Sequence, residues 1–118
     1  MGFGIMSRMK QWFGGSRVTN FTVTGLTSIA LSDDVGGLSL TGTATIATIT
    51  ANPATRGGRL LYLYGASGTT TFTNNASSTT AGQMDLGAGD ATIGATDFVI
   101  LWLRTDGVWI RATPVADN

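Results

Sequence analysis

Residues 98–112 read FVILWLRTDGVWIRA, in which two apolar runs are joined by Asp106-Gly107. An Asp-Gly pair between apolar strands predicts a β-hairpin, because a type I′ turn requires positive φ at both central residues. A two-residue loop places Arg104 opposite Trp109 and Trp102 opposite Arg111. One face of the predicted hairpin is then apolar and belongs to a core, with the members Val99, Leu101, Leu103, Val108, Ile110 and Ala112.

The opposite face of this hairpin mixes large aromatic side chains with arginines, a combination that is enriched in protein–protein interfaces. Each Trp faces an Arg there, and such a cation–π contact contributes about 0.5–1 kcal/mol. The strand predicted for residues 60–64 adds two tyrosines. We therefore predict a subunit interface formed by Tyr62, Tyr64, Phe98, Trp102, Arg104, Trp109 and Arg111. Alternatively, both faces are buried within one sandwich and the arginines reach solvent at its edge.

Upstream of the hairpin, residues from Val18 onward alternate between apolar and polar side chains, and Gly-rich or Asn-rich turns separate the short runs. Alternation with period two and frequent Thr, Val and Ile are typical of β-strands. Roughly eight strands with turns every 8–12 residues predict an all-β domain. We expect residues 18–118 to form a jelly-roll-like antiparallel β-sandwich or a small barrel.

Residues 1–17 differ from the rest, since they contain basic residues and no acid. The residues Ile5, Met9, Trp12 and Phe13 share one face of a helix by their spacing, and Gly14-Gly15 ends the pattern. We predict an N-terminal arm or short amphipathic helix that binds a partner. A membrane-surface helix and a tail folded on its own domain are alternatives, although the polar face has few basic residues for a membrane helix.

The composition argues against an enzyme, because the chain contains no His, no Cys and no Glu. Zinc sites built from Cys and His are excluded, and so is a His general base. Asp33-Asp34 lacks the spacing of an EF-hand loop, so we expect no metal site and no cofactor. The formal net charge is zero, which does not favour nucleic acid as a partner. No apolar run approaches the ~20 residues of a membrane span.

Two stretches carry a resemblance to a known class of proteins, LTGTATIATITANPATRGGRLLYLYGASGTTTFTNNAS at 40–77 and DFVILWLRTDGVWIRA at 97–112. They are similar to the β modules of tailed-bacteriophage virion proteins, which occur in head-fibre, capsid-decoration and tail-fibre proteins. The shared features are a Leu/Tyr strand after a Gly turn, a Thr/Asn-rich segment around Phe72 to Asn75, and a closing strand-Asp-Gly-Val-Trp-strand hairpin. No catalytic residue comes with the resemblance.

The resemblance implies a virion decoration or cement protein, made in the host bacterial cytoplasm and located on the capsid exterior. A homotrimer would then hold the major capsid protein with its arms and stabilise the shell. One alternative is a receptor- or glycan-binding module at a tail tip, where Trp109 or Tyr62 stacks on sugars. Another alternative is a minor neck or capsid component.

Overall fold

The computed structural model describes residues 17–51 and 57–117, and these residues form β-strands without any helix. The prediction of an all-β fold is confirmed. Consequently, no helix in the described ranges is long and apolar enough to cross a membrane. The strands are β1 (Arg17–Thr22), β2 (Ser28–Ala30), β3 (Val35–Thr41), β4 (Ala44–Ile46), β5 (Thr48–Thr50), β6 (Leu60–Ser67), β7 (Thr70–Phe72), β8 (Met84–Asp85), β9 (Ala91–Ile93), β10 (Asp97–Leu103), β11 (Trp109–Arg111) and β12 (Ala116–Asp117).

The largest sheet, here called the main sheet, has seven strands in the order β1-β3-β6-β10-β11-β8, and β12 also pairs with β10. Its first three strands are parallel to one another, whereas β10 is antiparallel to both β6 and β11. Two smaller sheets complete the fold. One pairs β2 with β5, and the other has the order β4-β7-β9.

The parallel strands arise because the chain winds in three successive coils, 17–30, 35–50 and 60–72. Strand β1 stacks on β3 and β3 on β6, while on the other sides of the coil β2 stacks on β5 and β4 on β7. Parallel neighbours cannot be joined by a tight hairpin, so the intervening short strands carry the chain around. This is the stacking principle of β-solenoids, in which each coil contacts its neighbours. Strands β9 to β11 then close the fold with antiparallel pairs.

The expectation of antiparallel pairing among about eight strands is therefore not confirmed. The described ranges contain twelve strands, and five of their nine pairings are parallel. A jelly-roll arrangement is not confirmed. Alternation of side chains is the same in parallel and antiparallel strands, which is why the sequence pattern did not distinguish the two.

Two stacked corners hold the second and third coils together. Gly42 donates its backbone N–H to the carbonyl oxygen of Ser67 at 3.1 Å, and Ala44 donates to Thr69 at 3.2 Å. Gly42 and Gly68 both have positive φ, of 104° and 74°. A Cβ atom at Gly68 would lie 2.3 Å from the carbonyl oxygen of Gly42. Only glycine allows the two corners to approach this closely.

The core lies between the inner face of the main sheet and the two smaller sheets. Leu38, Leu63 and Val99 are adjacent across β3, β6 and β10 and are fully buried. From the smaller sheets, Ile46 and Phe72 are buried in the same cluster. Burial of each such side chain stabilises the fold by about 1.5–3 kcal/mol. The opposite face of the main sheet is not part of this core and is available for contacts with other molecules.

Candidate functional site

The candidate site is the outer face of the main sheet, where the strand register aligns side chains in rows. Val18, Gly37, Tyr62 and Ile100 form one row across β1, β3, β6 and β10. The next row toward the end of β6 contains Asn20, Ser39, Tyr64 and Phe98. A third row contains Leu60, Trp102, Ile110 and, on β8, Asp85. We call these residues the outer face.

The outer face keeps large apolar side chains partly in contact with solvent. Val18 is 61% exposed and Trp102 is 36% exposed, while Tyr62, Tyr64 and Phe98 are half-buried. The rings of Tyr62 and Phe98 stack with their centroids 5.8 Å apart and an angle of 24° between planes. On a single chain the largest apolar patch is typically on the order of 300–600 Å² and often marks a functional surface.

Gly37 makes the outer face continuous between β1 and β6. A Cβ atom at this position would lie 3.2 Å from Val18 Cγ2 and 3.3 Å from the carbonyl oxygen of Tyr62. The side chain of Val18 therefore occupies the space above Gly37 and reaches toward Tyr62. The first two rows contain no charged residue, whereas the third ends at Asp85 on β8. The surface of the outer face is therefore apolar around Tyr62 and neutral-polar near Asn20 and Ser39.

The closing hairpin has a loop of three residues, one more than expected. Arg104 donates its backbone N–H to the carbonyl oxygen of Val108 at 2.9 Å, and Gly107 donates to Arg104 at 3.0 Å. Gly107 has a φ of 87°. A turn followed by a left-handed glycine is the usual three-residue hairpin loop. Register then pairs Leu103 with Trp109, and Trp102 with Ile110.

This one-residue shift corrects the prediction for Trp109. The indole lies on the inner face, is fully buried, and donates its Nε1–H to the carbonyl oxygen of Ile49 at 2.9 Å. Trp109 is consequently a core residue and is not accessible as an interface residue or for stacking on sugars. Ile110, expected in the core, lies half-buried on the outer face opposite Trp102.

The two arginines also lie elsewhere than predicted, and neither stands opposite a Trp. Arg104 donates from Nε to Asp106 Oδ1 at 3.1 Å, from Nη2 to Asp106 Oδ2, and to the carbonyl oxygen of Ser78 at 3.2 Å. Arg111 is paired with Leu101, a core residue, and its Nη2 lies 3.4 Å from the carbonyl oxygen of Gly89. The arginines therefore hold loops and do not contribute to the outer face.

Charge pairing sets the electrostatics of the hairpin loop. The hydrogen bond from Arg104 lowers the pKa of the Asp106 carboxyl below its ordinary value, and the same bond raises the pKa of the Arg104 guanidinium. At the other end of the main sheet, Arg17 donates to Asp34 at 2.9 Å and lowers the pKa of that carboxyl in the same way. Both pairs are partly exposed, and exposed pairs contribute little to stability.

Three further carboxylates accept hydrogen bonds from turns. Asp90 accepts from the backbone N–H of Asn74 at 2.8 Å, Asp85 from Ser77 at 3.1 Å, and Asp97 from Gly94 at 2.9 Å. In the described part of the chain, no three potential metal ligands come together. The chemistry available to these groups is turn stabilisation, which is a common role of Asp.

The predicted arm residues Ile5, Met9, Trp12 and Phe13 lie outside the described residues. Arg17, which the sequence assigned to the arm, is the first residue of β1. Of the predicted interface residues, the structure brings together Tyr62, Tyr64, Phe98 and Trp102 on the outer face. Val18 is not among the predicted interface residues. The available signal for it in the sequence is an apolar residue next to a polar one at the start of the β region.

Comparison with known proteins yields no match: no protein-family model, no curated protein and no solved structure is similar enough to this chain to indicate a family.

Proposed function

We propose that this chain is a structural protein of a tailed-bacteriophage particle, which self-associates through the outer face and decorates the exterior of the capsid. The observation that supports this function best is the composition of the outer face. Tyr62, Phe98, Ile100 and Trp102 lie side by side on regular strands, with no charged residue among them and with partial exposure in the single chain.

The size of the outer face favours repeated contacts over one strong pair. Two copies that each cover a patch of the typical size, on the order of 300–600 Å², bury an area below or near the ~1,200 Å² at which stable interfaces begin. Association itself costs about 4–15 kcal/mol. A threefold arrangement gives each copy two neighbours, and attachment to a shell adds further contacts. Multivalent binding then exceeds the affinity of any single contact.

Capsid decoration also agrees with the resemblance of residues 40–77 and 97–112 to virion β modules. In this proposal, the N-terminal arm with Trp12 and Phe13 attaches the β domain to the major capsid protein. The low share of charged residues, 12%, suits a surface that copies and partners cover. None of these functions requires a cofactor, a metal or a catalytic group.

Quantitative mass spectrometry of purified phage particles tests the assignment. A decoration protein is present in a fixed ratio to the major capsid protein, with copies comparable in number to the capsomers. A copy number corresponding to a single ring or a single tail tip would contradict decoration and move the chain to the neck or tail. Truncation of residues 1–16 provides the control. It removes the arm and leaves the β-strands, so the variant should fold but should not attach to the particle.

A second candidate function is glycan binding at a tail tip, and one feature of the outer face favours it. Tyr64 lies in a row with the neutral polar side chains of Asn20 and Ser39. Aromatic rings beside neutral hydrogen-bonding groups suit an uncharged sugar. Titration with neutral oligosaccharides, followed by NMR, tests this function. Shifts confined to the outer face and lost in Tyr64→Ala would support it, whereas unchanged spectra would exclude it.

A further inference from the structure

Strand β1 forms one end of the main sheet, and its hydrogen-bonding groups divide between two sides. Arg17 donates its backbone N–H to the carbonyl oxygen of Asp34 at 3.3 Å, and Val23 donates to Thr41 at 2.9 Å. Because successive residues of a strand direct these groups to alternate sides, Thr19 and Phe21 also face β3. The N–H and C=O groups of Val18, Asn20 and Thr22 point to the other side, where the described residues contain no partner strand.

The outward edge of β1 has few of the features that usually protect an edge strand, and the one irregularity in its pairing with β3 is a register shift between Arg17 and Val18. Its sequence RVTNFT contains no Pro and a single charge. That charge, on Arg17, is paired with Asp34 at 2.9 Å. Natural edge strands are commonly blocked by Lys, Pro, bulges or inward-pointing charges, because a regular edge accepts another strand. Val18, the most exposed large apolar residue in the described ranges, lies on this same strand.

The edge is complementary to a second copy of itself. If two β1 strands run antiparallel with Asn20 opposite Asn20, then Val18 of each copy faces Thr22 of the other. In this register the residues whose N–H and C=O point outward are the ones that face each other, so each forms hydrogen-bonded pairs. Arg17 lies opposite Val23, so no like charges meet. Like charges directly opposite would destabilise such a pair.

We propose that two copies of the chain join through their β1 edges in antiparallel register centred on Asn20, which extends the main sheet across a twofold axis. The inference rests on the proposed self-association but uses the backbone edge of β1 and not the side chains of the outer face. Copies that associate through the outer face form one assembly, and two such assemblies then join through their β1 edges. A twofold contact is self-complementary by symmetry, so the wild-type protein contains an even number of copies.

Sedimentation velocity of the full chain tests this pairing with two variants. Asn20→Pro removes an N–H that points away from β3, and proline is tolerated at that side of an edge strand. Thr22→Lys, at an exposed position of β1 outside the rows of the outer face, places a charge on the same edge and keeps every backbone group. Thr45→Lys, at an exposed position of β4 in a different sheet, is the matched control. Circular dichroism shows whether each variant folds.

The expected result is a twofold loss of mass in Asn20→Pro and in Thr22→Lys, with the mass of Thr45→Lys unchanged. An unchanged mass in folded Thr22→Lys and Asn20→Pro overturns the pairing, and assigns the edge to another part of the chain or to a different partner. An odd number of copies in the wild type also overturns it and leaves the proposed function standing. A wild-type protein that sediments as one chain contradicts both proposals.

Discussion

Trp109 lies opposite Leu103 across the β10–β11 hairpin and donates its indole N–H to the carbonyl oxygen of Ile49 at 2.9 Å. Ile49 belongs to β5, which lies in a different sheet. The largest buried side chain in the described ranges therefore ties the closing hairpin of the main sheet to the second coil.

Replacement of Trp109 is expected to destabilise the fold strongly. Trp109→Ala should lower the free energy of unfolding by about 3–5 kcal/mol, because it leaves a cavity. Trp109→Phe should cost less, roughly 1–3 kcal/mol, since it mainly leaves the Ile49 carbonyl without its donor. Urea denaturation measures both values. Trp102→Phe, on the partly exposed outer face, is the control and should change stability by less than about 1 kcal/mol.

Because the second and third coils approach closely at Gly68, replacing Gly68 should destabilise the fold more than replacing Gly87, which has a similar backbone conformation. Gly68 and Gly87 have φ of 74° and 81°, so an alanine at either costs about 1–2 kcal/mol in backbone strain. A Cβ at Gly68 would also meet the carbonyl oxygen of Gly42 at 2.3 Å, whereas nothing lies within 4 Å of a Cβ at Gly87. Thermal unfolding should show Gly68→Ala much less stable than Gly87→Ala. Equal midpoints would contradict the stacked corners.

Acidification is expected to weaken the hairpin loop through Asp106. Its pKa is lower in the folded state than in the unfolded chain, because Arg104 binds the carboxylate. Such a group stabilises the fold above the unfolded pKa, and this contribution is lost as the pH falls through the folded value. The midpoint of thermal unfolding should therefore drop as the pH falls below the ordinary carboxyl pKa of about 4 and through the lower folded value.

Asp106→Asn should make that decline shallower, since the variant has no carboxyl to protonate. Arg104→Gln should do the same by removing the partner that lowers the pKa. Thermal scans of the two variants and the wild type across this pH range provide the comparison. A decline as steep in both variants as in the wild type would show that the Arg104–Asp106 pair has no part in acid sensitivity.

The faces of β6 and β10 were predictable from the sequence, because strands alternate side chains whatever their direction. Leu61 and Leu63 are buried while Tyr62 and Tyr64 are on the outer face, as the alternation predicts. Strand direction was not predictable in this way. The pairing of β1, β3 and β6 depends on how the chain winds between them, and no local pattern reports that path.

The Asp-Gly pair predicts a hairpin but does not specify the number of residues in its loop, and that number sets the register. A two-residue loop and a three-residue loop both use a glycine with positive φ, yet they place opposite faces of β11 toward the core. Thr105 falls within the loop, and the carboxylate of Asp106 binds Arg104. That local ion pair was the feature that could have indicated the longer loop. Trp109, Ile110 and Arg111 were assigned to the wrong faces for this reason.

The central claim, that copies of this chain cover the outer face, is tested most directly by the solution mass of the full-length protein. Native mass spectrometry of the wild type should give more than one chain at micromolar concentration. Trp102→Lys and Tyr62→Lys should remain folded and contain fewer copies, whereas Thr92→Lys, exposed on β9, should match the wild type. A wild-type mass equal to one 12.2 kDa chain would contradict the account.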